Sequence, residues 1–243
     1  MSARHNLTRF AWLSIAAAVL TIGLKTGAYF LTGSVGLLSD AAESVVNLVA
    51  AVVALIALRV AAQPADAEHP YGHAKAEDIS AVVEGIMIFV AAIFLLYSAV
   101  QRFLDPQPIE NVGIGLGVSV FASVINGLVA WKLINVGRAE RSITLTADGK
   151  HLLTDVWTSV GVVLGVMLVA LTGWLRLDPI IAFLVGLNII WTGYHLISQS
   201  VDGLMDRAFP TEDADAVVAT LQEFATDEVH FHGVRTREAG HQR

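Results

Sequence analysis

Apolar residues fill most of this chain in six long blocks, and short polar stretches separate the blocks. A helix needs about 20 predominantly apolar residues to cross the hydrocarbon core of a bilayer. Each block is long enough, and the second and fifth helices are expected to extend further at their polar ends. We predict spanning helices over Phe10–Leu31, Val35–Ala62, Ile79–Leu104, Val112–Leu133, Leu152–Leu171 and Pro179–Leu204.

The composition supports a membrane protein and excludes several other classes. Of the 243 residues, 55% are hydrophobic and only 15% are charged, whereas soluble domains carry about 25% charged residues. The first block is too long for a secretion signal, so we interpret it as a retained helix. There is no cysteine, which excludes disulfides and thiolate metal sites. The net charge of -7 is spread along the chain and predicts no nucleic-acid partner. We find no nucleophile constellation and no cofactor-binding loop, so an enzyme is not expected.

The distribution of basic residues predicts the orientation in the membrane. The side that carries Arg102 and Arg176 has few basic residues, and the side with both termini has many. Since positively charged loops stay in the cytoplasm, both termini are expected to be cytoplasmic, in a cell (plasma or inner) membrane. The basic residues on the side of the termini are Arg4, Arg9, Arg59, Lys75, Lys132, Arg138, Arg141, Lys150 and Arg207.

The end of the chain is polar and predicts a separate unit. Thr211 is a candidate N-cap for an amphipathic helix over Glu212–Phe224, and Val229–Thr236 is predicted to be a strand. One helix and one strand cannot bury a core of their own. The tail is therefore expected to pack on a partner or to be a shortened form of something longer. We expect a transmembrane domain over residues 1–207 and a partial cytoplasmic domain over 208–243.

Two of the predicted helices carry polar groups at positions i, i+3 and i+7, a spacing that lines one helical face. These groups are Asp40, Glu43 and Asn47 in the second helix and Asp148, His151 and Asp155 in the fifth. Ionisable groups at membrane depth are costly, by about 2.5–3.5 kcal/mol each on insertion scales, and therefore suggest function. The alternative interpretation is that they hydrogen-bond the bundle together.

Two such faces in contact would bring four oxygen or nitrogen ligands to one point, the number that a tetrahedral metal ion needs. The innermost four are Glu43, Asn47, His151 and Asp155, and we predict that they form a transport site. Asp40 and Asp148 are candidates for supporting residues beside it. Carboxylate oxygen with imidazole nitrogen suits zinc, iron, cobalt, nickel or manganese better than calcium.

The loop after the second helix contains a second candidate site. Asp66, His69 and His73 are close enough in sequence to share one metal ion. The alternative is a solvated loop whose histidines are incidental.

Three further residues are weaker candidates. His230 and His232 lie two apart on the predicted strand and so share a face, although exposed histidines without a ligand role are common. Lys25 lies toward the end of the first helix, where its long side chain is expected to extend to the membrane interface.

Four segments resemble the cation diffusion facilitator family. They are Thr32-Gly33-Ser34 leading to Leu37-Leu38-Ser39-Asp40, the loop from His69 to Glu77 (HPYGHAKAE), the fifth-helix pair His151 and Asp155, and Leu204-Met205-Asp206-Arg207. The loop is the longest and most specific of these matches, and the resemblance runs from the first helix to the end of the chain.

The resemblance implies a homodimeric transporter that exports zinc or a similar divalent ion from the cytoplasm, usually against protons. The family's transport site corresponds to Glu43, Asn47, His151 and Asp155. The family commonly has Asp or His at the first of these positions and Asp at the second, so Glu43 and Asn47 depart from it. An amide is a neutral and weaker ligand than a carboxylate, which leaves iron, cobalt, nickel and manganese as alternatives to zinc.

The resemblance also implies metal binding at Asp66, His69 and His73, and a pairing of Lys75 with Asp206 near the dimer contact. His232 corresponds to a ligand in the cytoplasmic domain of some members. That domain is a ferredoxin-like α/β unit in the family. The expected fold is thus an all-α membrane protein with six transmembrane helices and a short, incomplete ferredoxin-like tail. The alternative function is a membrane metal sensor or scaffold that binds metal without transporting it.

Overall fold

The structure is a computed structural model that describes residues 7–32, 35–106, 112–226 and 229–239. Within these ranges the secondary structure consists mainly of α-helices. In chain order they are α1 (Thr8–Thr32), α2 (Val35–Ala61), α3 (Ala76–Leu104), α4 (Val112–Ala139), α5 (Ile143–Thr172), α6 (Leu177–Leu204) and α7 (Thr211–Glu223).

Helices α1 to α6 are each long and apolar enough to cross a membrane, which confirms the six predicted spans. The fifth begins at Ile143 rather than Leu152 because Ser142 caps it, accepting a hydrogen bond at Oγ from the backbone N–H of Leu145 at 3.4 Å. It ends at Gly173, whose φ of 72° is left-handed and whose N–H bonds the Val169 carbonyl at 2.8 Å. The extra turns at its start carry Asp148.

Helix α5 lies between two apolar clusters and contributes to both. One cluster joins α1, α2, α4 and α5, and Leu145 and Leu152 are its α5 members. The other joins α3, α5 and α6 and includes Ala147 of α5. Because both clusters pack on α5, polar groups along this helix are placed at the centre of the bundle.

Small residues let α3 and α6 approach closely. A Cβ atom added to Gly85 would lie 2.7 Å from Ile197 Cγ1, and one added to Gly193 would lie 3.2 Å from the Gly85 carbonyl oxygen. Glycines at such crossings are typical of membrane helices, whose association depends on close van der Waals packing.

The bundle is apolar outside and partly polar inside, the reverse of a soluble protein. Large apolar side chains with exposed surfaces include Trp12, Phe94, Phe121, Trp131 and Trp191. Lys25 is only 6% exposed and lies inside the bundle. The expectation that its side chain reaches the interface is therefore wrong.

The tail differs from the prediction. Its helix is present as α7, although Pro210 rather than Thr211 occupies the N-cap position. No strand forms over the described residues 229–239, so the strand predicted at Val229–Thr236 is wrong and a ferredoxin-like tail is not seen. A strand needs a neighbouring strand for its backbone hydrogen bonds. Here the described segment makes scattered backbone hydrogen bonds, such as Glu238 N–H to the Arg207 carbonyl at 2.8 Å.

Candidate metal centre

Asn47, His151 and Asp155 are joined by hydrogen bonds across the contact of α2 with α5. The Asn47 amide nitrogen donates to Asp155 Oδ2, and Asn47 Oδ1 lies 2.8 Å from His151 Nε2. The three side chains are 2%, 4% and 7% exposed, respectively. His151 and Asp155 are four residues apart and so lie on one face of α5, and Asn47 connects them from the other helix.

This arrangement defines how the imidazole is bonded. A carboxylate only accepts hydrogen bonds, so the amide nitrogen of Asn47 faces Asp155 and its oxygen faces His151. His151 Nε2 must then carry the hydrogen that is donated to Asn47 Oδ1. The other ring nitrogen, Nδ1, is buried and has no hydrogen-bond partner in the described part of the chain. The imidazole and the carboxylate are thus held together by a neutral amide.

Asn126 of α4 adds a third helix to this group. Its amide nitrogen lies 3.5 Å from Asp155 Oδ2, and the side chain is buried. Asp155 therefore accepts from amides on two helices.

A second polar group lies nearer the start of α5, one turn before His151. Asp148 is fully buried and accepts a hydrogen bond at Oδ1 from Ser14 Oγ of α1 at 3.1 Å. Glu84 of α3 is also buried, accepts from Ser80 Oγ at 3.3 Å, and interacts electrostatically with Asp148. Asp148 thus links α1 to α5 through its hydrogen bond with Ser14. Asp40 lies on α2, but its side chain is outside the described part of the structure.

Glu43 lies one turn before Asn47 on α2 and is half-buried. It has an interaction within the chain. Glu43, His151 and Asp155 do not belong to any group of described acidic or imidazole side chains whose ligand atoms all lie within 4.8 Å of one another. The structure therefore joins three members of the expected quartet by hydrogen bonds and places the fourth at the next turn.

The loop between α2 and α3 does form such a compact group. Ligand atoms of Asp66, His69 and His73 all lie within 4.8 Å of one another. Asp66 Oδ1 accepts from the backbone N–H groups of Glu68 at 3.0 Å and His69 at 2.6 Å. The hydrogen bond from the His69 backbone lowers the pKa of the Asp66 carboxyl below its ordinary value of 3.8. The carboxylate is thus ionised at neutral pH and faces two imidazoles.

Next to this loop, Lys75 pairs with Asp206, as the family resemblance implied. Lys75 Nζ lies 2.9 Å from Asp206 Oδ1 and donates to the Leu204 carbonyl at 2.9 Å. Arg237 of the tail lies 3.6 Å from the same carboxylate and stacks on the Tyr71 ring at 4.2 Å. The hydrogen bond from Lys75 lowers the pKa of the Asp206 carboxyl. We call these four residues the latch, because they join the loop to the tail.

The tail histidines are not part of a described cluster. His230 and His232 are both exposed, and the compact metal-ligand group found among the described residues does not include them. Since the strand that was to align them is absent, their shared face is lost.

Comparison with known proteins identifies the family of this chain. Residues 11–205 match the cation efflux transmembrane domain. The chain belongs to the cation diffusion facilitator family. It is 51% identical over 233 residues to an uncharacterized transporter of Synechocystis, covering 96% of this chain and 75% of that protein. It is 30% identical over 234 residues to the cation-efflux pump FieF of Salmonella arizonae and to that of Salmonella newport, covering 96% of this chain and 77% of each.

Membership of the cation diffusion facilitator family establishes the class of protein. The family consists of transporters of divalent metal cations, not of enzymes, and the six apolar helices agree with a multi-pass membrane protein. The resemblance found in the sequence is confirmed.

Sequence reasoning missed Asn126 and Glu84, although a signal was present for each. Ser119, Ser123 and Asn126 are spaced i, i+4 and i+7 on α4. Glu77, Ser80 and Glu84 have on α3 the same i, i+3 and i+7 spacing that identified α2 and α5. The α4 stripe consists largely of hydroxyl groups, whereas the α3 stripe carries two carboxylates on one helical face.

Proposed function

We propose that this cation efflux protein exports a divalent transition metal ion in exchange for protons, with zinc as the first candidate and iron, cobalt, nickel and manganese as alternatives. The observation that carries the proposal is the hydrogen-bonded set of Asn47, His151 and Asp155, buried where α2 meets α5. FieF, a relative at 30% identity, is a cation-efflux pump.

The ion would replace the hydrogen bonds that now join these three side chains. Asp155 accepts from amide groups and His151 Nε2 donates to Asn47. A metal ion needs an electron pair from each ligand, and a neutral imidazole offers one on a single ring nitrogen. His151 would therefore bind through Nδ1, or through Nε2 after its hydrogen has moved to Nδ1, and the Asn47 amide would rearrange. Loading releases a proton wherever the imidazole or a carboxylate of the site is protonated beforehand. Glu43, one turn away, supplies a fourth ligand after a small movement of α2.

Alternating access would follow from rocking of the helices around this point. The proton gradient drives unloading, because protonation of His151 and the carboxylates weakens metal binding.

We assign both termini to the cytoplasm of a plasma or inner membrane, from the excess of basic residues on that side. We also propose a homodimer and a domain boundary between residues 207 and 208.

The loop group of Asp66, His69 and His73 is proposed as a second metal site. It is exposed, apart from the half-buried His73, and lies beside the latch. This observation also favours the alternative function, a metal sensor in which binding at the loop changes the tail without transport. A sensor binds metal without net flux, whereas a transporter moves it.

Reconstitution into proteoliposomes that enclose a zinc-sensitive dye separates the two functions. Wild type is expected to move zinc with a rate that depends on the pH gradient. His151→Ala removes the imidazole and should reduce the flux to that of protein-free liposomes.

His195→Ala is the matched control, because His195 is exposed on α6, lies edge-to-face with Trp191 and is outside the site. Transport by His151→Ala at the wild-type rate would contradict the central site. Zinc binding without flux in the wild type would favour the sensor.

A further inference from the structure

A cavity of about 400 Å³ lies at the end of the bundle where α5 begins, apart from both metal groups. Four of its lining residues are basic, namely Arg138, Arg141, Lys150 and Arg207. They come from α4, from the turn after it, from α5 and from the start of the tail. A cluster of cations assembled from four different segments depends on the fold and is not a simple charged run of sequence.

Most of these cations lack an acidic partner. Within the described part of the chain, Arg138, Arg141 and Lys150 make no ion pair with a carboxylate. Arg207 has an acidic partner, but the distance from its Nη1 atom to Asp202 Oδ2 is long, at 4.0 Å. Lys150 is half-buried and close enough to Arg138 for their charges to repel each other. Like charges held together at a partly buried site are destabilising unless an anion offsets them.

Two acids, Asp78 and Glu238, also line the cavity. Asp78 is 3% exposed, and Asp78 and Glu238 each have an interaction within the chain. With four basic and two acidic side chains the lining remains positive. The start of α5 at Ser142 and Ile143 adds the positive end of a helix dipole to the same wall.

We propose that this cavity binds a phosphate-type anion, which is either the head group of an anionic phospholipid or a free phosphate. Arginine donors match phosphate oxygens in geometry and charge. Basic pockets between transmembrane helices at the cytoplasmic side are typical sites for anionic head groups. The site differs from the metal groups in place and in the sign of the charge that it recognises, so it holds whether or not the proposed transport is correct.

The test measures binding to the full chain purified in a neutral detergent at low salt. Isothermal titration calorimetry is run with short-chain phosphatidylglycerol, with phosphatidylcholine of the same chain length, and with inorganic phosphate. Binding of phosphatidylglycerol alone would identify a lipid head group. Binding of inorganic phosphate as well would show that the phosphate itself suffices. Equal binding of phosphatidylcholine and phosphatidylglycerol, or binding of none of the three, would overturn the proposal.

Charge-removing variants test the location. Arg138→Gln with Lys150→Gln should weaken binding about fivefold for each charge removed. The matched control is Arg59→Gln with Lys132→Gln, which removes two exposed charges from outside the cavity lining and should change binding less than twofold. Equal weakening by the two double variants would overturn the proposal, because it would indicate non-specific attraction.

A third variant tests the proposal independently in case Arg138→Gln with Lys150→Gln misfolds. Arg141 has a φ of 53°, a left-handed conformation that asparagine tolerates better than most residues. Arg141→Asn therefore removes one cation with little strain and should weaken binding about fivefold. Unchanged binding by this folded variant would count against the proposal.

Discussion

The two candidate metal groups of this transporter differ in how they are built. The loop group takes Asp66, His69 and His73 from a single loop, and backbone N–H groups fix its carboxylate. The transmembrane group takes Asn47 and the pair His151 and Asp155 from two helices that are far apart in sequence. The first is formed by local geometry, and the second exists only when the bundle is packed.

Because the two groups are built differently, binding at each is expected to affect the rest of the protein differently. A buried site has a low effective dielectric, so each charge that enters or leaves changes the energy of the bundle strongly. Such a site can couple binding to helix movement. The loop site is screened by water, and binding there changes little beyond the adjacent latch. We therefore expect the buried group to determine transport and the loop group to influence the tail.

The largest expected effect comes from removing the metal ligand of the buried group. With metal at about one hundred times its dissociation constant, binding at the buried site should stabilise the wild type by about 2.7 kcal/mol. Asp155→Ala should lose this stabilisation and all flux, because it removes the carboxylate that is bonded to Asn47 beside His151. Thermal unfolding with and without zinc, together with proteoliposome flux, measures both quantities.

Asp66→Ala is the partner experiment in the loop. It should remove one bound metal ion per chain in a binding titration and leave most of the flux intact. If Asp66→Ala abolished transport while Asp155→Ala retained it, the division of roles between the two groups would be reversed.

A smaller effect is expected from Asn47→Asp, which tests metal selectivity. The change replaces a neutral ligand by a carboxylate and so adds a negative charge beside Asp155. Zinc in a four-ligand site of oxygen and nitrogen should benefit most, and we expect the zinc-to-manganese flux ratio to rise about tenfold, equivalent to about 1.4 kcal/mol. Flux across a panel of zinc, iron, cobalt, nickel and manganese measures the ratio.

Asn126→Asp is the control for this substitution. It places the same added charge near the same carboxylate, from α4, but without the contact to His151. A similar shift in both variants would show that charge alone sets the preference, and that the position of Asn47 has no special role.

The sequence predicted the parts of the molecule that depend on local rules. Six apolar blocks gave six helices, and the spacing of His151 and Asp155 placed both on one face. The loop group followed from short spacings alone. The link through Asn47 depends on which faces of α2 and α5 meet. Pairing the two stripes predicted a metal site at this contact, and that site stays a prediction.

The remaining features depended on contacts that periodicity does not encode. Ser14 reaches Asp148 from α1, and a lone serine on that helix gives no sign of its partner. The strand at Val229–Thr236 failed for a similar reason. Alternation predicts that a segment can form a strand, but a neighbouring strand must supply the hydrogen bonds.

The smallest expected effect concerns the latch. The pKa of Asp206 is lowered, so its contribution is fully present above the ordinary value of 3.8 and is lost as the pH falls through the lowered value. Asp206→Asn should therefore release the tail at neutral pH and make trypsin cleavage after Arg237 about threefold faster, a small change because exposed ion pairs are weak. Hydrogen exchange of the wild type should approach that of the variant only in strong acid.

Asp202→Asn is the control, since Asp202 contacts Arg207 at 4.0 Å outside the latch. Equal release by Asp202→Asn would show that general charge, and not the pairing with Lys75 and Arg237, holds the tail against the loop.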